Sequence, residues 1–349
     1  MPETRKSGLE IRLVEALQPV RYFVLAQVLH QFMETGLHEE LNAGPRTVGE
    51  LSESLSLQPR RLEGVLHYLA NEGYLSEDDG VFSMEEKARE TAVFSSWYKL
   101  LVGGYSQTFE QLGRTLQQGA GFASRSGLDV GVGSCGISQY DAYPVIVGLL
   151  GEVRDDVESV VDLGCGDGSS LADLMELLPG LSAIGVDPEP ASVRAGEELM
   201  RRRGLADRVR LRVAGAENAP ELDLGPGPVC FISAFVLQEL LEQQGREAVL
   251  GLVREVFTHH PDSHWIVIEV DNRIADRAAM AHRLALSYYN PYFLVHYLTE
   301  QRLERDRFWH ELFAEAGAEV AQQLTADPRV DSTGFLLGYR LRVSAGGAR

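Results

Sequence analysis

The stretch that most constrains the fold is VVDLGCGDGS at residues 160–169. An apolar run meets glycines at alternate positions, Gly164, Gly166 and Gly168, and the helical run SSLADLMELLP follows. Strand, tight turn and helix in that order need positive φ in the turn, which glycine adopts without steric cost. The surrounding chain repeats the theme. From about residue 137, the β-branched runs SVVDLGC, AIGVD, VRLRVA, VCFISA, HWIVIEV and GFLLGYRLR are separated mainly by helical stretches. This alternation predicts an α/β domain over 137–349, Rossmann-like, with a mostly parallel sheet and helices on both faces. Ligands then belong at the carboxyl ends of the strands, near the topological switch point.

The preceding part reads differently. Residues 9–41 have helical spacing, with a break expected at Pro19 and a C-terminal cap at Gly36. Thr47 and Glu50 form a T-x-x-E capping box, Pro59 opens a second helix and Gly73 closes it. YLSEDDGVFSM then predicts a hairpin turning at Asp79-Gly80. Helix, turn, helix and hairpin within 1–118 make a winged-helix pattern. Residues 92–118 are helical and aromatic, with Phe94, Trp97, Tyr98, Tyr105 and Phe109, while the glycine-rich 119–136 reads as a loop or linker.

A winged helix suggests DNA, and Arg60 and Arg61 do open its second helix. The rest of that helix is apolar or acidic, and 51 acidic against 32 basic side chains give a net charge of −19. Such a chain repels phosphate backbones and anionic membranes, so neither nucleic acid nor membrane is expected as a partner. Dimerisation or cover for a site is the expected role of the first domain. Cys135, Cys165 and Cys230 show no zinc or disulfide spacing. No signal-peptide core and no bilayer-length apolar run is present, so cytoplasmic residence is the expectation.

A G-x-G turn is shared with dinucleotide enzymes. Asp162, just before the glycines, would repel a pyrophosphate but suits the ammonium group of S-adenosylmethionine. Asp187, ending the next strand before Pro188, can accept hydrogen bonds from both ribose hydroxyls. The expected cofactor residues are Asp162, Gly164, Cys165, Gly166, Asp187 and Pro188. Ser233 joins them by its position after the fourth strand, flanking the adenosine and the reactive methyl group with Ala234 and Phe235. Cys165 is given no nucleophilic role.

Residues 9–342 as a whole resemble the two-domain class I S-adenosylmethionine-dependent small-molecule methyltransferases with an N-terminal winged-helix dimerisation domain. The resemblance implies a homodimer and places an adenine-binding residue near the third strand end, where Ala216 and Glu217 lie. O-methyltransferases of this family carry a histidine base just after the fourth strand. Here the stretch is Val236-Leu237-Gln238-Glu239-Leu240, and glutamine is not a base at neutral pH. The chain is more similar to the α-keto-acid C-methyltransferases of peptide-antibiotic pathways. That branch methylates the β-carbon of 2-ketoarginine, phenylpyruvate or 4-methyl-2-oxopentanoate.

That resemblance implies a metal held by Gln238, Glu239 and His296, which are also the expected catalytic residues. The phenylpyruvate member has histidine at the position of Gln238, so the number of protein ligands here falls to as few as two. A dication chelated by the keto oxygen and carboxylate stabilises an enolate and fixes the β-carbon near the methyl donor. Carboxylate and imidazole donors suit zinc or iron, with a position open for substrate. A helix-capping Glu239 and a core-packed His296 are the plainer alternatives. Arg273 is a candidate grip on the substrate carboxylate, against a solvated loop arginine, and Tyr140 and Tyr143 are candidates to roof the site. Tyr288, Tyr289, Tyr292 and Phe293 are expected to line the pocket, which points to an apolar or aromatic substrate. O-methylation of a hydroxylated small molecule is the alternative activity.

Overall fold

The computed structural model describes residues 8–225 and 227–344. Most of the N-terminal stretch read for a leader therefore lies outside the described residues. The chain forms two compact units: Met1–Ser106 with Ser126–Gly133, and Gln107–Arg125 with Ser134–Arg349.

In the first unit, one helix runs unbroken over Leu9–Glu34 with Pro19 inside it. The expected break is absent. Proline removes one N–H, and the carbonyl it cannot serve, that of Glu15, lies on an exposed face where water can bond it. Thr47 and Glu50 do form the reciprocal capping box, with Thr47 N–H to Glu50 Oε2 at 2.7 Å and Glu50 N–H to Thr47 Oγ1 at 3.3 Å. Two helices, Val48–Leu55 and Pro59–Asn71, follow. With strand β1 at Arg46–Thr47, strands β2 (Leu75–Asp78) and β3 (Val81–Met84) complete a sheet of order β1-β3-β2. The hairpin turns at Asp79 and Gly80, both with positive φ, as a two-residue turn of matching twist requires. Leu29, Phe32, Leu51, Leu66, Leu69 and Phe82 fill the core.

The glycine-rich stretch is not a loop throughout: Gly127–Ser138 is helical. Its glycines serve close packing. A Cβ on Gly133 would stand 2.6 Å from the Leu100 backbone nitrogen, and one on Gly104 would meet Val130 Cγ2 at 2.7 Å. The division between units passes through this stretch rather than around it. The aromatic run before it is interrupted too, with a π-helical turn at Lys99–Gly104 between Ser95–Tyr98 and Ser106–Thr115.

The second unit holds a seven-stranded sheet. Its strands are β4 (Ser159–Leu163), β5 (Ser182–Asp187), β6 (Val209–Val213), β7 (Val229–Ala234), β8 (His264–Val270), β9 (Ala318–Leu324) and β10 (Leu336–Val343). Their order is β6-β5-β4-β7-β8-β10-β9. Strands β4 to β8 pair in parallel, and β10 runs antiparallel to β8 and β9. Strand β9 is the one sequence patterning overlooked, because AEVAQQL is a half-exposed edge strand with polar residues. One core, with Phe231, Trp265, Trp309 and Phe313, covers one face; another, with Leu149, Val160, Met175 and Ile266, covers the other. The order reverses at β4, which places the switch point at the glycine turn. No helix among the described residues is long and apolar enough to cross a membrane.

Candidate active site

The turn after β4 is built for close approach. Gly164, Gly166 and Gly168 have φ of +82°, +57° and +70°. The Gly164 and Cys165 N–H groups bond Val186 O at 2.8 and 3.0 Å, which ties the turn to β5. A Cβ on Gly164 would strike Val236 Cγ2 at 2.6 Å, whereas one on Gly166 would meet nothing within 4 Å. The turn is thus packed on one side and open on the other, beside the N-terminus of the Ser169–Leu177 helix.

Asp187 accepts one N–H on each oxygen, from Gly166 at 3.0 Å and Glu189 at 2.9 Å. Each oxygen keeps a lone pair for a further donor. Burial pushes Asp162 up to about 7, and the charge of Asp187 adds to the shift. Two acids that feel each other's charge favour a bound cation beside them. Burial, then Asp162 and Asp187, drive the Cys165 thiol far upward, so it is a poor nucleophile. Pro188 leads into the Pro190–Arg202 helix. Ala216 is buried, while exposed Glu217 folds its carboxylate back over Gly215.

Ser233 departs from expectation. It is fully buried and accepts the Trp265 indole N–H at 3.0 Å, so its hydroxyl faces the core and not the cofactor. Two residues on, Phe235 holds a φ of +62°, a left-handed backbone unusual for an aromatic residue. That turn delivers the Leu237–Gln244 helix, and Gln238 and Glu239 lie in its first turn.

The structure brings Gln238 and His296 together. Both are buried, and Gln238 Nε2 lies 3.5 Å from His296 Nε2. His296 Nδ1 is 2.7 Å from the Tyr292 carbonyl, to which its N–H donates. Burial pulls the imidazole down to about 3, with the Arg125 charge adding, so it stays neutral and presents Nε2 as an acceptor. Glu239 Oε1 accepts from Arg125 Nη2 at 2.6 Å and Gln301 Nε2 at 3.0 Å. From β8, Glu269 accepts the Gln238 N–H at 3.3 Å, and burial raises its carboxyl to about 8.

Arg125, Gln301 and Glu269 were missed in the sequence. Arg125 offered one signal, as the only basic residue between Arg114 and Arg154. Arg273, expected to grip the substrate, is held instead by Asp271 at 3.1 Å and Asp276 at 2.5 Å. A guanidinium flanked by two acids of its own loop is poorly placed to take a third. Tyr289, Tyr292 and Phe293 are also not an open wall: they are buried and packed on one another, with Phe335 against Tyr289 and Phe293. Tyr140 is exposed beyond the end of the Gly127–Ser138 helix, and Tyr143 is half-buried.

No group of three His, Cys, Asp or Glu side chains that could hold a metal is present among the described residues. Counting the amide changes the picture. Gln238 Oε1 is buried with no hydrogen-bond partner. As placed, the amide nitrogen reaches His296 Nε2; a half-turn of the amide would set its oxygen there instead. An amide oxygen and an imidazole nitrogen so turned are donor types that a divalent cation takes. Glu239 joins only when Arg125 moves off it.

Comparison with known proteins accords with this geometry. Residues 160–260 match a family model described as a methyltransferase domain. The chain is 47% identical over 343 residues to 2-ketoarginine methyltransferase of Streptomyces arginensis, covering 98% of this chain and 99% of that protein. It is 24% identical over 283 residues to mitomycin biosynthesis 6-O-methyltransferase of Streptomyces lavendulae, covering 73% and 76%. Among solved structures, mitomycin 7-O-methyltransferase MmcR has a TM-score of 0.67 at 19% identity, covering 98% of this chain and 100% of that one. The neocarzinostatin-pathway O-methyltransferase NcsB1, solved with S-adenosylmethionine and 2-hydroxy-5-methyl naphthoic acid, has a TM-score of 0.62 at 17% identity, covering 91% and 96%. At those identities the two structures attest the fold alone. With a glycine turn flanked by two acids and a relative matched almost end to end, the chain belongs to the class I S-adenosylmethionine-dependent small-molecule methyltransferases, in the branch that includes 2-ketoarginine methyltransferase.

Proposed function

We propose that this enzyme methylates the β-carbon of an α-keto acid, in the biosynthesis of a nonstandard amino acid for a secondary metabolite. One observation carries the reading: where an O-methyltransferase needs a base, Gln238 faces a neutral His296. Glutamine is no base and burial makes the His296 imidazole a weak one, whereas an amide oxygen and an imidazole nitrogen can both serve a cation. The 2-ketoarginine relative supports a keto-acid substrate.

In this reading Asp162 and the glycine turn hold the methionine end of S-adenosylmethionine and Asp187 holds the ribose. Ala216 and Glu217 lie near the adenine. Gln238, His296 and Glu239 would hold zinc or iron, which supplies charge stabilisation to the enolate of the bound keto acid. The Tyr292 carbonyl fixes the tautomer of His296 and turns Nε2 to the site. Arg125 is poised to exchange Glu239 for the substrate carboxylate, a pairing its planar guanidinium suits. The keto acid reacts as its enolate, its β-proton lost to solvent; the β-carbon then attacks the sulfonium methyl group, the S–CH3 bond breaks and S-adenosylhomocysteine leaves.

Two broader readings accompany this one. The first unit is read as a winged helix serving a homodimer, supported by Ile11, Leu13, Val14, Val20 and Phe23 exposed on one long helix. Light scattering that returned a monomer at all concentrations would refute the dimer. Three free cysteines suit a reducing compartment and support cytoplasmic residence. The activity is tested by turnover of α-keto acids before and after chelation. Loss on chelation and recovery on re-addition of metal are expected; unchanged turnover would remove the metal.

A further inference from the structure

The glycine turn has a second wall, contributed from outside the strand ends. Gln139, in the turn that closes the Gly127–Ser138 helix, donates a side-chain N–H to Asp173 Oδ2 at 3.2 Å. Asp173 lies in the Ser169–Leu177 helix, the one that leaves the glycine turn. Both residues belong to the second unit. One helical turn back from Gln139 is Cys135, and one turn back from Asp173 is Ser169. Residues four apart share a helix face, so the register that pairs Gln139 with Asp173 sets Cys135 over Ser169. The Ser169 side chain does lie within hydrogen-bond reach of the Cys135 thiol.

The thiol stands among the acids of the cofactor turn. Burial, then Asp167, Asp162 and Asp187, push it up to about 11, so it is neutral at physiological pH and no nucleophile. Asp167 and Asp162 act on it more strongly than Asp187, which places it toward the Asp162 end of the turn. Cys165 and Cys230 are buried, whereas Cys135 is partly exposed. A partly exposed thiol that feels the acids of both β4 and β5 looks onto the open side of the turn, where a Cβ on Gly166 would meet nothing within 4 Å.

We propose that Cys135 is a cofactor-binding residue: it walls the methionine end of the S-adenosylmethionine site from the Gly127–Ser138 helix, opposite the glycine turn, and bound cofactor covers its thiol. This rests on the reading of the glycine turn and Asp187 as the cofactor site. The role differs from plain helix packing, because a packing contact between two helices does not change when the cofactor binds.

Labelling of the parent enzyme separates the two roles. At about pH 8.5 only a small fraction of the thiol is ionised, so iodoacetamide labels it slowly. Peptide mass mapping reads Cys135 apart from the buried Cys165 and Cys230. S-adenosylhomocysteine at about ten times its Kd leaves roughly one site in eleven empty, so labelling of Cys135 should slow about tenfold. An unchanged rate with the ligand bound overturns the proposal. Cys135→Trp fills the space and should raise the S-adenosylhomocysteine Kd about tenfold or more, with the cofactor-free Tm near the parent's. Protection in the parent without loss of affinity in this variant means closure at a distance, and overturns the contact as well. Asp187→Ala keeps the two failures apart. If it weakens S-adenosylhomocysteine binding, the cofactor site stands whatever Cys135 does; if it leaves binding unchanged, the reading of the turn falls, and this inference with it.

Discussion

The glycine turn and the Gln238–His296 cluster lie at strand ends of one sheet, yet they are held by different means. The turn is a backbone device. Its N–H groups bond Val186 and Asp187, and its shape depends on three positive φ values. The cluster is a side-chain device, assembled from Arg125, Gln238, Glu239, Glu269, His296 and Gln301. A backbone site tolerates change in most side chains and fails where a Cβ intrudes. A side-chain site survives backbone adjustments and fails on isosteric exchange. Cofactor binding and methyl transfer should therefore be separable by mutation.

The largest separation is expected at Glu239. Glu239→Ala should lower kcat about 10³-fold, the upper range for removing a group that stabilises developing charge. Its S-adenosylmethionine affinity, by calorimetry, should stay close to the parent's; loss of cofactor binding would merge the two regions and contradict the comparison. The opposite signature belongs to Asp187→Ala, which should raise the cofactor Kd about 10–100-fold through lost charge-assisted hydrogen bonds. Metal content should not change in that variant.

Arg125→Ala comes next. The KM for keto acid should rise about tenfold, as loss of one charged hydrogen-bonding partner implies. Steady-state kinetics in which kcat alone falls would mean that Arg125 only screens Glu239. A smaller effect is expected at Gly164→Ala. There the left-handed backbone costs roughly 1–2 kcal/mol, and overlap with Val236 adds to it. Denaturant unfolding should show the loss.

The smallest effect concerns pH. Burial, with the charge of Asp331 adding, lifts Asp141 from 3.8 to about 7. The folded chain thus holds this proton more tightly than the unfolded chain. The contribution to stability is full below about pH 4 and is lost as pH rises through about 7. Asp141→Asn keeps the acceptor for the Ala142 N–H and removes the titration. The fall in Tm between pH 5 and pH 8 should shrink by ~2–4 °C for each kcal/mol of that linkage. An unchanged slope would place the titration elsewhere.

What could be read from sequence follows the same division. Gly164, Gly166, Gly168, Asp162 and Asp187 were legible because one turn and one strand end carry them within 26 positions. Local stereochemistry requires those residue types there. The capping box at Thr47 and the Asp79-Gly80 turn were legible for the same reason. Gln238 and His296 were found through resemblance, and their contact spans 58 positions. Arg125 reaches Glu239 across 114 positions, a pairing no local pattern encodes. Glycines misled where packing set their role, as at Gly133, and aromatic spacing misled at Tyr289 and Phe293, which face a core. Arg273 misled because Asp271 and Asp276 claim it from its own loop.

The position of the transferred methyl group tests the central claim most directly. The enzyme would be incubated with S-adenosylmethionine carrying an isotopically labelled methyl group, together with 2-ketoarginine or an uncharged α-keto acid. Nuclear magnetic resonance of the product then reads the labelled site. The account predicts label on the β-carbon of a keto acid. Label on oxygen, or a hydroxylated aromatic methylated in place of every keto acid, would contradict it.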